Sequence, residues 1–213
     1  QNKINQVLYL EKKLNDNNQI FNLIDNFLCE KNSFIFESVE KGEKGRYTIF
    51  GKKPDKIWEF NENKSFKIQN NKKILIKGRP QSIIENILEN FKFKTPAKLP
   101  PICSLISGYF SYDTIRYIEK IPNSCKDDLK IPDVRLLRPT VLIIHDNLKK
   151  KIFYIVNVFK DQSIQNYKKK YVEIKNQINL MIHESKYNLA STNRFNNEKK
   201  IQVKSNTSKS QYI

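Results

Sequence analysis

Glycine is scarce in this chain of 213 residues: there are five, and three of them fall within one stretch, FIFESVEKGEKGRYTIFG, residues 34–51. Gly42, Gly45 and Gly51 open no helix and are not followed by a Gly-Lys-Ser/Thr run, so a glycine-rich phosphate cradle is excluded. Histidine and cysteine are nearly as rare. The two histidines, His145 and His183, stand apart from each other and from Cys29, Cys103 and Cys125, with no metal-ligand or redox spacing. That removes a zinc site and a disulfide framework and leaves the reading of idle thiols in a reducing cytosol. No Gly-x-Ser-x-Gly elbow, His-Glu-x-x-His helix or Cys–His couple occurs. Asp113, Glu119, Asp127 and Asp128 are read as solvated surface carboxylates. No apolar run has membrane-spanning length, and no signal peptide is read ahead of the first helix. The opening Gln1, in place of methionine, raises the expectation of a fragment.

Acidic residues are also in short supply. Lys and Arg number 39 against 22 Asp and Glu, a formal net charge of +17. A nucleic-acid-binding face should concentrate arginine among aromatics, whereas here lysine predominates and is spread along the chain among asparagine and isoleucine. The charge is therefore assigned to compositional bias, and a basic nucleic-acid module is kept only as an alternative. With 38% hydrophobic residues, 13 Phe and 10 Tyr, the chain has enough apolar material for a core without covalent staples.

The periodicities describe a mixed chain. Residues 7–10 form a short apolar run, and Asp16 is placed to cap a helix carrying Ile20, Leu23, Ile24, Phe27 and Leu28 on one side. Strands are expected at 34–38, 47–51, 56–60, 65–69 and 73–77, the last three as a meander across Asn-rich turns. Pro80 suits the first turn of a helix with an Ile83, Ile84, Ile87, Leu88 and Phe91 stripe. A buried strand at 105–110, a short helix opened by Asp113, a proline-punctuated loop to Pro139 and a hairpin of 140–144 with 152–159 follow. Ile164, Tyr167, Tyr171, Ile174, Ile178, Met181 and Ile182 mark a long surface helix, and beyond Tyr187 the composition is that of a linker. The expected class is α+β: mainly antiparallel sheets, sandwich-like, with flanking helices.

Two segments are more specific than the rest. FIFESVEKGEKGRYTIFG resembles the N-terminal signature of anthranilate synthase component I, with Glu-Ser at a strand end and Gly-Arg-Tyr opening the next strand. LPPICSLISGYFSYDTIRYIEKIP, from Leu99, looks like that family's Gly-Tyr, Tyr-Asp and Arg-Tyr segment. LLRPTVLIIHDNLKKKIFYIVNVF is similar to the strand pair that follows. Ser104 and Ser107 depart from the family's small residues, and Phe34 and Phe36 replace leucines. The closing SNTSKSQYI resembles the phrase leading into the chorismate-binding half.

The resemblance implies an N-terminal regulatory domain over residues 1–187 and a linker over 188–213. It implies feedback control by L-tryptophan, for which a hydroxyl and a carboxylate beside an aromatic-lined hollow are suitable partners. Ser38 is the first candidate, Glu37 the second, and Tyr47 and Thr48 are wall residues. Gly42 and Gly45 would let the loop between them turn tightly, and Arg46 is read as a structural cation. Gly108, Tyr109, Tyr112 and Asp113 are read as structural, with Asp113 paired to Arg116. No residue is assigned catalysis. In the family, chorismate, Mg²⁺ and ammonia react in the C-terminal half to give anthranilate and pyruvate, so this chain is expected to be silent alone and to bind no metal. The implied partners are that chorismate-binding half and the glutamine amidotransferase component II, in the cytoplasm, with no membrane and no specific nucleic acid. Within the same superfamily the alternative is aminodeoxychorismate synthase component I.

Overall fold

The computed structural model describes residues 5–14, 18–27, 30–38, 40, 42–61, 64–91, 93–122, 124, 127–187, 207–208 and 210. The Asp16 cap, Cys29, Cys125 and nearly all of the expected linker lie outside the described residues. In chain order the elements are β1 (Gln6–Lys13), α1 (Asn18–Phe27), β2 (Phe34–Phe36), β3 (Tyr47–Asn61), β4 (Lys64–Gln69), β5 (Lys72–Ile76) and α2 (Pro80–Asn90). They continue with β6 (Ser107–Phe110), β7 (Val134–Asp146), β8 (Lys151–Val158) and α3 (Tyr167–Lys186).

All eight strands join one curled sheet in which every pairing is antiparallel, as the α+β reading anticipates. Two long strands, β3 and β7, run side by side through the whole of it. Their first contact stretch, Tyr47 with Asp146 to Lys52 with Val141, is flanked by β2 on one side and by β8 and β1 on the other. Their second, Lys56 with Arg138 to Phe60 with Val134, is flanked by β4 and β5 on one side and by β6 on the other.

The two stretches meet at an irregularity between Pro54 and Lys56, where Pro54 faces Pro139. Sequence reading ends a strand before Pro54 and a loop at Pro139, and both expectations are corrected here. Neither proline can donate to a ladder, but placed opposite each other at a bulge they cost the sheet no bond it could otherwise make. The strands expected at 47–51 and 56–60 are one strand, and β7 begins at Val134, well inside the expected loop.

The first half of the sheet is covered on both faces. On one, Phe50, Val141, Ile143, Ile152, Tyr154 and Val156 meet Leu23 and Phe27 of α1 and Ile174, Ile178 and Met181 of α3. On the other, Leu142, Ile144, Phe153 and Ile155 lie under Leu99 and Cys103. The helical period of the α3 stripe is correct, but Tyr167 and Tyr171 near its start are exposed. α3 is fixed by a buried cation: Lys52, 2% exposed, reaches Glu30 at 2.7 Å and Glu184 at 3.0 Å and lies 4.3 Å from the centre of the Phe27 ring. An ammonium can be buried at that depth because two carboxylates and a ring face replace its water.

The second half is thinner. Trp58, Phe60, Val134 and Leu136 form a small core against Ile83, Ile84 and Ile87 of α2. The opposite face carries Glu59, bonded to Lys73 at 2.8 Å and to Arg135 at 3.1 Å. β6 is shorter than the expected strand and largely exposed. The following helix is a 3-10 turn over Tyr112–Tyr117, capped by no side chain. Asp113 therefore does not cap it but does pair with Arg116 at 2.9 Å. At the junction of the halves Arg138 grips Asp55 at 2.6 and 2.8 Å and Asp161 at 2.9 and 3.1 Å. Burial alone would raise the Asp161 carboxyl, yet its bonds to Arg138 and Lys56 hold it down at about 2.

Candidate functional site

β2 ends at Phe36, and the next two residues leave the sheet as an exposed strand terminus, Glu37 and Ser38. Their loop returns to β3 through two glycines. Gly42 has φ +119°, a conformation strained for any side chain. At Gly45 a Cβ would lie 1.5 Å from the Glu40 carbonyl oxygen and 2.9 Å from Ser38 Oγ. The loop can fold against Ser38 only because Gly45 has no side chain.

Immediately after Gly45 the loop is clamped to the far end of β7. The Arg46 guanidinium holds the Asp146 carboxylate through Nη2 at 2.7 Å and Nε at 3.1 and 3.2 Å. Asp146, only 2% exposed, also accepts the backbone N–H groups of Leu148 at 3.1 Å and Lys149 at 3.0 Å. Burial would raise its pKa, but the Arg46 bond and these backbone donors outweigh that and keep it below the usual carboxylate value. Asn147 completes the knot: its N–H donates to Arg46 O at 2.8 Å, and its side-chain amide donates to Thr48 Oγ1 at 3.2 Å. Arg46 is thus the structural cation its sequence context suggests.

The β2–β3 loop and the β7–β8 turn are thereby held as facing walls of a hollow of about 510 Å³. Glu37, Ser38 and Glu40 stand on one wall, and Asn147, Leu148 and Lys150 on the other. A hydroxyl, two carboxylates and an ammonium across a gap of this size can meet both ends of a small zwitterion. No aromatic ring lines the hollow among the described residues.

Tyr47 and Thr48 do not line it. Tyr47 packs into the core on the Leu142 and Ile144 face with the Arg46 guanidinium 4.9 Å from its ring centre. Thr48, 2% exposed, lies beneath the turn, where its hydroxyl accepts from Asn147. Of the four sequence candidates, Glu37 and Ser38 come together at the hollow while the other two support it. Reading by sequence missed Asn147, Leu148 and Lys150. Asp146 and Asn147 were legible as a turn, but no local signal says which loop that turn will face 100 positions away.

His145, beside this knot, is 4% exposed, and its Nε2 has no hydrogen-bond partner among the described residues. Burial first, then the Lys150 charge, lower its pKa below 6.5 against the opposing pull of Asp146. Cys103 is a buried free thiol whose pKa is raised by that burial, and Asn157 donates to its backbone carbonyl at 3.1 Å. Among the described residues no three His, Cys, Asp or Glu side chains are placed to hold a metal ion, and no helix is long and apolar enough to cross a membrane.

No protein-family model matches the chain. Curated proteins do. Anthranilate synthase component 1 of Acetivibrio thermocellus is 37% identical over 134 residues, covering 62% of this chain and 27% of that protein. The same-named protein of Cereibacter sphaeroides is 29% identical over 154 residues, covering 70% of this chain and 31% of its own length. The chloroplastic anthranilate synthase alpha subunit 1 of Arabidopsis thaliana is 31% identical over 156 residues, 67% of this chain and 26% of that protein. Each match thus spans less than a third of the relative's length. Among solved structures, anthranilate synthase component I from Streptococcus pneumoniae TIGR4 shares the fold with a TM-score of 0.54 and 18% identity, over 71% of this chain and 32% of that one. In sequence over 62–70% of its length, and in the path of its sheet, this chain is similar to an N-terminal portion of anthranilate synthase component I.

Proposed function

We propose that this chain is the regulatory part of an anthranilate synthase component I and that the hollow beside Ser38 receives the polar end of L-tryptophan. The observation that carries the reading is the placement of Ser38, Glu37 and Glu40 across about 510 Å³ from Lys150. An amino acid brings an ammonium and a carboxylate bonded to the same carbon. The acidic wall suits the ammonium, Lys150 suits the carboxylate, and the Ser38 hydroxyl can bond either. Arg46, Asp146, Thr48 and Asn147 hold these walls at fixed separation, so the effector does not have to order them on binding. Tyr47 keeps its place in the proposal as the ring that anchors Arg46. Leu148 is the single apolar side chain on the hollow among the described residues, so most of the indole's seat belongs to other residues of the complete protein.

In that protein the reaction is the replacement of a ring hydroxyl of chorismate by ammonia with loss of pyruvate, giving anthranilate in tryptophan biosynthesis. The residues described here do not fit Mg²⁺, and no catalytic role is proposed for them; the metal, chorismate and the chemistry are assigned to the C-terminal half, and ammonia supply to component II. Residues 1–187 are the regulatory domain and 188–213 the connection, acting in the cytoplasm. Inhibition requires that tryptophan bind one arrangement of the two halves more tightly than another.

Titration of the isotope-labelled protein with L-tryptophan, followed by amide chemical shifts, tests the reading. Saturable shifts are expected at Ser38, Leu148 and Lys150, with affinity falling up to about tenfold in Ser38→Ala for one lost hydrogen bond. Shifts confined to other parts of the molecule, or indifferent to Ser38→Ala, overturn it.

A further inference from the structure

A second hollow lies in the other half of the molecule, and its chemistry is different. α2 carries a stripe of isoleucines toward the sheet, yet none of its residues is buried. Between the helix and the sheet is a groove of about 420 Å³ walled by Trp58, Ile83, Ile87 and Phe91. A void of that size against apolar walls forfeits contacts that a closer helix would have made.

The charged groups of the groove are mostly cationic, and Asn5, Asn86 and Asn90 line it as well. Arg138 and Lys56 reach it, but both are committed to Asp161, and Arg138 to Asp55 as well. Lys77 and Lys160 also line it, both exposed, and neither pairs with a carboxylate among the described residues. Among the described residues Asp161 is the only carboxylate on the lining, and two cations already neutralise it. An uncharged ligand would leave this excess of positive charge unused, and a cation would be repelled by it.

We propose that the groove under α2 binds a small organic carboxylate with an apolar body, the body lying against Trp58 and Ile87 and the carboxylate facing Lys77 and Lys160 at the mouth. This site is separate from the hollow at Ser38 and does not depend on the reading of that hollow. Its volume is within the range that small-molecule sites occupy, roughly 300–1,000 Å³.

Trp58 is the chain's one tryptophan, so intrinsic fluorescence reports on the groove directly. The probe is 4-phenylbutyrate, titrated into the whole chain with its neutral amide as the comparison. A saturable change in Trp58 emission is expected, with the amide binding about tenfold more weakly for want of two charge contacts. Lys77→Gln combined with Lys160→Gln, at exposed positions that leave the core intact, should weaken the carboxylate by a similar factor and leave the amide alone. Ile87→Phe should fill the groove and abolish the response, and Ser38→Ala should not change it. No saturable emission change, equal affinity for acid and amide, indifference to the double lysine replacement, or loss in Ser38→Ala would each overturn the proposal.

Discussion

The two halves of this sheet share their central strands and little else. In the half built on residues 47–52 of β3, apolar side chains are covered on both faces, one by α1 and α3 and the other by the segment around Leu99 and Cys103. In the half built on residues 56–60, one face has a small core under a helix with no buried residue, and the other has an ion network about Glu59. Large apolar side chains there remain in the open, among them Phe110, Tyr112, Ile118, Leu129 and Ile131. A strand does not carry a fixed stability along its length. What covers each stretch decides how costly it is to disturb. The closed half provides the rigid frame for the Ser38 hollow, and the thinner half keeps unspent surface and a groove.

The sharpest way to break that contrast is a paired truncation. Phe50→Ala in the closed half should cost about 3–5 kcal/mol, as large-to-small changes at fully buried aromatics do, while Ile87→Ala on α2 should cost about 1 kcal/mol because less area is removed from water. Urea unfolding midpoints measure both, and equal losses would erase the distinction between the halves.

A smaller effect is expected at the cation under α3. Glu184→Ala leaves Lys52 buried with Glu30 as its one remaining carboxylate and should cost about 2 kcal/mol, below the usual cost of breaking a buried pair outright. Replacing both partners, Lys52→Met with Glu184→Leu, should restore most of the loss. If the double replacement is as unstable as the single one, packing rather than charge accounts for the damage.

The least effect is expected from pH, and it separates the closed half from the junction. Burial lowers the His145 pKa, so the unfolded chain takes up its proton first. Its contribution is complete above the ordinary value of 6.5 and declines as pH falls below it. Asp161 has the opposite charge type: its stabilisation is present above the usual 3.8 and is lost as pH falls toward about 2. Unfolding midpoints should therefore drop in two windows, and His145→Gln should flatten the first while leaving the second.

Much of the secondary structure was legible because its cause is local. The isoleucine stripe of α2, the α1 stripe and the alternation in β4 and β5 all appear where periodicity puts them. The largest errors lie at Pro54 and Pro139, which as single residues read as breaks and as a facing pair are a bulge. Glu37 and Ser38 were legible as a strand end, and the family resemblance gave them a role. Lys150 and Asn147 were not, since nothing in a lysine-rich turn distinguishes it from its solvated neighbours until another loop is laid against it.

The sequence alone settled most of the helical and extended segments away from the prolines, since side-chain spacing and turn chemistry act over a few residues. Only the folded sheet decided which faces are covered, which carboxylate meets Arg46 and Lys52, and which turn closes the hollow at Ser38. Those outcomes depend on pairings between distant segments, whose free energy exists only once the chain entropy of bringing them together has been overcome.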